Sequence, residues 1–284
     1  MPCYVSVCSN LFSDDTEMRY NVICIKWGDY YGARDVNHLC RAVRRNTKYD
    51  IDFYCFTENA EGLDEDIIVK PMTKLNCPPP EDSKYAYRKE AGLCDDNLGG
   101  LHGQRVFFFD LDSLIVGNLD EFFEYPQGDE FYIINCWRHR RGRKKNRVGQ
   151  ASCYSFVVGT LGYVKEYFEA HPKEIIAKYY TASQEYLSDK VRGKWGRLNF
   201  WPDNWFKSFY DHCMPQAFLR WFVTPKLPAV AGLKMVAFHG RCGIEEAIAG
   251  VFTHEEDYFK GIRRFTKGWY KHVKPCPWIL DYWK

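Results

Sequence analysis

The chain has 284 residues, 46% of them hydrophobic and 17% aromatic, enough to bury a sizeable core and too apolar for an intrinsically disordered chain. Its 39 Lys and Arg against 37 Asp and Glu leave a net charge of +2, so no whole-molecule field draws it to nucleic acid or to a membrane. Any electrostatic specialisation is therefore local.

The 12 cysteines form no Cys-x-x-Cys pair, and several sit in apolar runs, as Cys24 does in Val22-Ile23-Cys24-Ile25 and Cys136 in Ile133-Ile134-Asn135-Cys136-Trp137. That usage predicts small core hydrophobes in a reduced cytosolic chain, with neither a disulfide framework nor a zinc site. No window approaches the ~20 apolar residues of a membrane span, which predicts a soluble protein.

In chain order, Val22 to Lys26 reads as a strand, Gly28 and Gly32 as a turn, and Val36, Leu39, Cys40 and Val43 recur at helical spacing as far as Arg45. Ile51 to Thr57 and Ile67 to Val69 read as strands before the break at Cys77-Pro78-Pro79-Pro80. Tyr85 to Asp95 is helical in composition, and Arg105 to Phe109 is a strong strand. Phe131 to Cys136 and Ser152 to Val158 are strand candidates. Val164 to Phe168, Glu174 to Tyr180 and Gln184 to Lys190 read as helices, Gly193 to Trp205 resists assignment, and Val236 to Phe238 reads as a late strand. Strands separated by helix-length segments predict an α/β fold with a mixed, mostly parallel central sheet flanked by helices. No linker or composition shift divides the chain, so residues 1–284 are expected to form one domain.

The most informative segment is Val106-Phe107-Phe108-Phe109-Asp110-Leu111-Asp112-Ser113-Leu114. Carboxylates at i and i+2 share one face of an extended chain, and here they stand at the carboxyl end of a strand, where open α/β sheets bind ligands. A bare Asp-x-Asp also occurs in solvated turns, but the apolar runs on both sides place this pair at a sheet edge. Two hard oxygen donors there suit Mg²⁺ or Mn²⁺. His239, which follows another apolar strand and precedes Gly240, could add an imidazole ligand.

Taken together, these segments resemble the metal-dependent nucleotide-sugar glycosyltransferases of the GT-A fold, family 8 and its bacterial cell-surface-polysaccharide relatives in particular, from about Asn21 to Trp278. The resemblance implies a Rossmann-like nucleotide-binding half over about residues 20–120 and an acceptor-binding half over about 121–284. It implies donor contacts from Lys26, Trp27, Gly28 and Tyr31 in Ile25-Lys26-Trp27-Gly28-Asp29-Tyr30-Tyr31, from Thr57 near the base, and from Lys89 on the helix before the metal motif. Asp110, Leu111 and Asp112 match the Asp-x-Asp motif, with Asp110, Asp112 and His239 as metal ligands for Mn²⁺ or Mg²⁺ and Gly240 beside them. Gln184 and Glu185 resemble the segment bordering the transferred sugar and acceptor, Glu185 as base or sugar stabiliser. Lys274, in Lys274-Pro275-Cys276-Pro277-Trp278, resembles a Lys-Pro-Trp that closes over the diphosphate, although Cys276-Pro277 interrupts it. The implied partners are a nucleotide-sugar donor, UDP-linked in most of the family, and a glycan or lipid-linked acceptor, with retention of anomeric configuration.

The basic run containing Arg138, Arg140, Arg141, Arg143, Lys144 and Lys145 reads either as a solvated loop or as a site for an anionic acceptor or the inner face of a membrane. No basic surface accompanies it elsewhere, which argues against nucleic acid. Two other readings of the motif stay open at this level. A haloacid-dehalogenase-type phosphatase would use Asp110 as nucleophile, though its Asp-x-Asp normally opens the domain. A non-catalytic sugar-binding relative would keep only the fold.

Overall fold

The computed structural model describes residues 18–77, 86–137, 147–180, 182–253, 268 and 270–284. Strand β1 (Arg19–Lys26) leads through a glycine turn into helix α1 (Ala33–Arg45), which buries Val36, Leu39, Cys40, Ala42 and Val43 against the sheet. Strands β2 (Asp50–Thr57) and β3 (Ile68–Pro71) follow, then the short helix α2 (Ala86–Glu90) and strand β4 (Arg105–Phe109). Next come β5 (Ser113–Ile115), α3 (Asp120–Glu124), β6 (Tyr132–Asn135) and β7 (Gly149–Val157). Helices α4 (Gly162–Ala170), α5 (Pro172–Tyr179) and α6 (Ser183–Trp195) lead to β8 (Asn199–Phe200), β9 (Phe206–Ser208), β10 (Met235–Ala237) and α7 (Ile244–Ala249).

Seven strands form one sheet in the order β3-β2-β1-β4-β7-β6-β8. Pairings β2–β3, β1–β2, β1–β4 and β6–β8 are parallel, while β7 runs antiparallel to β4 and β6. The fold is therefore α/β with a mostly parallel central sheet flanked by helices. Alternation along the strands explains how both faces are covered. Val22, Cys24, Phe53, Cys55, Phe107 and Phe109 enter the core on one face, and Ile23, Ile25, Tyr54, Phe56, Val106 and Phe108 enter the core on the other. Among the described residues the cysteines are free thiols, and all but Cys77 are buried as small core side chains.

One local expectation is corrected, and one element was not read from the sequence. The helix expected over 85–95 is described only as Ala86–Glu90, followed by a 3₁₀ turn at Gly92–Cys94, where Gly92 packs so closely on Thr73 Oγ1 that a side chain would crowd it. The segment after Asp112 is a strand. β5 pairs antiparallel with β10, and β10 pairs in parallel with β9, making a second, three-stranded sheet. Single apolar triplets carry too little pattern to be read as strands from sequence.

The junction to this second sheet is tight. The N–H groups of Val116 and Gly117 both donate to the Lys234 carbonyl, at 2.8 and 3.3 Å, and a Cβ at Gly117 would overlap the Leu233 carbonyl oxygen. Gly117→Ala should therefore destabilise the fold by about 1–3 kcal/mol, the scale of overpacking against rigid backbone. Equilibrium urea unfolding checks this, and an unchanged midpoint would show that the junction can open.

Candidate functional site

Strands β1, β2 and β4 are parallel, with Lys26 in register with Thr57, so their carboxyl ends share one edge of the sheet. Asp110 follows β4 at that edge, and its N–H donates to the Ser152 carbonyl of β7 at 2.9 Å. From α2, Lys89 Nζ donates to Asp110 Oδ2 at 2.6 Å and lies 3.5 Å from Glu90 Oε1. Glu90 is 2% exposed, its Oε2 is buried without a hydrogen-bond partner, and the Ser183 side chain at the start of α6 favours its charged form. Burial works against the charge on Lys89, but Asp110 and Glu90 outweigh it and raise the lysine's pKa. Burial likewise raises Glu90, against the opposing pull of Lys89 and Ser183.

Asp112 is unbalanced as well. Its Oδ1 is buried without a hydrogen-bond partner, and burial together with the charge on Asp110 pushes the carboxyl up to about 7, despite Lys89. Leu111 between the two carboxylates is buried and anchors their spacing in the core. Tyr31 faces this pair: burial first, then Asp112 and Asp110, raise its phenol's pKa, so it stays a neutral hydrogen-bond donor.

The other residues expected on the donor side lie along the same edge. Lys26 is buried and gives its ammonium to the Asn59 carbonyl at 3.0 Å, and Thr57 Oγ1 donates to the same oxygen at 3.0 Å. Trp27 packs on the core. Gly28, at φ +58°, takes the left-handed conformation that turns the chain and lets its N–H reach Glu58 Oε1 at 2.9 Å. Beside them, past the ends of β2 and β3, a cavity of about 280 Å³ is lined by Glu58, Thr73, Lys74 and Arg88 among others. Thr73 Oγ1 is buried without a hydrogen-bond partner.

The second sheet carries His239 to the same region. β10 is in register with β5, and the next residue, Phe238, donates its N–H to the Asp112 carbonyl at 3.0 Å. The imidazole, however, faces the other way along the ladder: Nε2 is 2.7 Å from Ser208 Oγ and 3.9 Å from Asp211, and the ring stacks on Trp137 with centroids 5.5 Å apart. Exposed Gly240 follows it. Among the described residues no group of three His, Cys, Asp or Glu is arranged as a metal site.

Gln184 and Glu185 lie in the first turn of α6. Gln184 Oε1 accepts from the Ala151 N–H at 3.4 Å, next to the Ser152 that holds Asp110, so it joins the helix start to β7. Lys274 donates to the Phe222 carbonyl at 3.4 Å rather than to the carboxylate pair. The basic run from Arg138 to Lys145 lies outside the described residues.

Sequence reasoning missed Glu90, Ser183, Thr73 and the Ser208–Asp211 pair. Glu90 sits directly after Lys89, but nothing local marks it as buried, since its burial comes from α6 packing on α2. The hydroxyls acquire their roles only from contacts distant in sequence.

No family model matches the chain, and a search of the curated proteins finds no match. Two solved glycosyltransferases are similar in structure, and the second of them shares the fold. The apo form of the glycosyltransferase GlyE of Streptococcus pneumoniae TIGR4 is similar over 94% of this chain and 63% of its own, at 12% identity and a TM-score of 0.48. The apo form of the bifunctional glycosyltransferase WbbM is similar over 80% of this chain and 46% of its own, at 14% identity and a TM-score of 0.51. The chain thus spans less than two thirds of either protein.

The Asp112 carboxyl sets a pH dependence. Its pKa rises from 3.8 to about 7 on folding, so between those values the native state binds more protons and stability falls as pH rises. In EDTA, the wild type should lose stability from about pH 4 to about pH 7 relative to Asp112→Asn, measured by urea unfolding. Parallel stability curves for the two proteins would refute the shift.

Proposed function

We propose that the chain is a glycosyltransferase that moves a sugar from a nucleoside diphosphate to a glycan or lipid-linked acceptor, with Mn²⁺ or Mg²⁺ at Asp110 and Asp112. The carrying observation is the buried, unpartnered Asp112 Oδ1 beside Asp110 at the carboxyl edge of a sheet whose fold is shared with a solved glycosyltransferase. Fold alone does not fix activity, so the weight rests on the site.

The residues present fit a divalent cation. An orphaned carboxylate oxygen and a carboxyl pushed up to about 7 are what excess negative charge produces, and a hard cation would neutralise both. His239 would complete the set on exchanging its Ser208 contact, and Gly240 leaves space beside it. When bound, the metal would neutralise charge on the leaving diphosphate. Lys89, held protonated by Asp110 and Glu90, supplies a fixed positive charge at the same strand end. Tyr31 offers a neutral O–H to the phosphates or sugar. Gln184 positions the start of α6, and Glu185 on that turn serves as acceptor base or sugar stabiliser. The Gly28 turn and the cavity at Thr73 and Arg88 accommodate the nucleoside, UDP by family resemblance, which also implies retention. Lys274 would reach the diphosphate only after leaving Phe222.

We read the chain as a single domain working in the cytoplasm. Among the described residues no helix is long and apolar enough to cross a membrane. The phosphatase reading is not favoured, because the solved structure sharing the fold is a glycosyltransferase.

A thermal-shift screen of nucleotide sugars with and without Mn²⁺ tests the class, since a ligand selective for the folded state raises its melting temperature. Asp112→Ala should cost at least ~10²-fold in transfer or donor-hydrolysis rate, the scale of one strong electrostatic stabiliser. Full metal-independent activity in that variant would overturn the assignment. Covalent phosphorylation of Asp110 would favour the phosphatase.

A further inference from the structure

A cavity of about 510 Å³ opens between α4, α5 and α6, lined by Tyr163, Lys178, Tyr179, Asp189, Lys190 and Lys194. Each lysine is laid over a tyrosine ring. Lys190 Nζ is 2.8 Å from the centroid of Tyr167, Lys194 Nζ is 4.4 Å from that of Tyr163, and Lys178 Nζ is 4.6 Å from that of Tyr179. Ring faces hold ammonium groups in place without cancelling their charge. The carboxylate in the lining is already engaged: Asp189 accepts from Arg192 at 2.6 Å and from the Tyr179 hydroxyl at 2.8 Å. Tyr163, whose hydroxyl donates to the Lys190 carbonyl, fixes the backbone between the lysines. Burial, followed by the charge of Lys178, lowers the pKa of Lys190 against the opposing pull of Glu174 and Asp189.

This cavity is separate from the carboxylate edge. Ser183, which bonds Glu90, and Lys190 are both on α6, and at ~1.5 Å per residue they lie roughly 10 Å apart along the axis, with Lys194 roughly 16 Å away. Three positioned ammonium groups with aromatic walls suit a ligand bearing more than one negative charge, and lysines act on phosphate as point charges.

We propose that the cavity between α4, α5 and α6 is a second anion site, taking a phosphate-bearing ligand through Lys178, Lys190 and Lys194. The site is independent of the proposed glycosyl transfer.

The test is titration calorimetry with inorganic pyrophosphate in EDTA, where the metal-free carboxylate pair repels the anion and binding reports on the lysines. The wild type should bind in a salt-sensitive manner. Lys178→Gln, Lys190→Gln and Lys194→Gln combined should raise Kd at least about tenfold, while the same three positions changed to Arg should retain binding. Should the triple Gln protein not fold, Lys194→Gln, at an exposed position, gives the same reading at smaller size. A second arm measures co-sedimentation with phosphatidylcholine vesicles with and without phosphatidic acid. Loss of pyrophosphate binding in the Gln variants supports a soluble phosphate ligand, and loss of phosphatidic-acid-dependent sedimentation supports a lipid headgroup. Equal binding by wild type and triple Gln variant in both arms, or no binding by the wild type in either, overturns the proposal. Because neither arm uses a nucleotide sugar, a failure here is distinct from failure of the transferase reading.

Discussion

A single ammonium group, that of Lys89, stands among the carboxylates of Asp110, Asp112 and Glu90 at the carboxyl edge of the sheet. In a partly dehydrated setting the attraction of an ion pair is set against the cost of removing each charge from water, and removing one partner leaves the other uncompensated. Among the described residues the balance is short, with one ammonium group set against three carboxyl groups. The shortage is distributed unevenly. Asp110 takes the short contact with Lys89, while Glu90 and Asp112 are each left with a buried oxygen lacking a hydrogen-bond partner and with a raised pKa. The elements that meet here are each fixed by one of these groups. α2 is fixed through Lys89 and Glu90, α6 through Ser183, and β7 through the Ser152 carbonyl on the Asp110 N–H.

That arrangement depends on two sheets sharing one segment. β4 ends the central sheet at Phe109, and β5 begins the second at Ser113, so the Asp-x-Asp is the hinge of backbone between them. Leu111 pins the hinge into the core, while the two flanking carboxylates stay at the edge. The β5–β10 register then returns the chain to Asp112 through Phe238 and delivers His239 beside it. Its imidazole rests on Trp137 and Ser208, so the third ligand expected from sequence is adjacent by backbone but engaged elsewhere by side chain.

The contrast explains how much could be read beforehand. The strand of four consecutive buried residues before Asp110 and the carboxylate pair were legible, because strand patterning and i,i+2 spacing are local, whereas Lys89 entered only through the family resemblance. The α/β class was legible from alternating segments. Glu90 was not, since an acidic residue after a lysine on a five-residue helix reads as solvated, and only the packing of α6 buries it. β5, β9 and α3 are too short to show periodicity. The side-chain directions of His239 and Lys274 depend on Ser208 and Phe222, partners that no spacing rule identifies.

Helix α6 shows how the near-neutral total charge is divided. Its amino-terminal turn carries Ser183, Gln184 and Glu185 next to the carboxylate cluster, and its last turns carry Lys190, Arg192 and Lys194. The aligned peptide dipoles put partial positive charge at the first end and partial negative charge at the second, so the helix favours anions where Glu90 and Glu185 lie and cations where the lysines lie. The two ends are therefore not accidents of surface composition. A helix oriented the other way would raise the cost of burying Glu90 and would weaken the hold on the lysines. One rigid element thereby keeps an acidic centre and a basic cavity of opposite sign on the same molecule, about three turns apart, and the net charge of +2 conceals both.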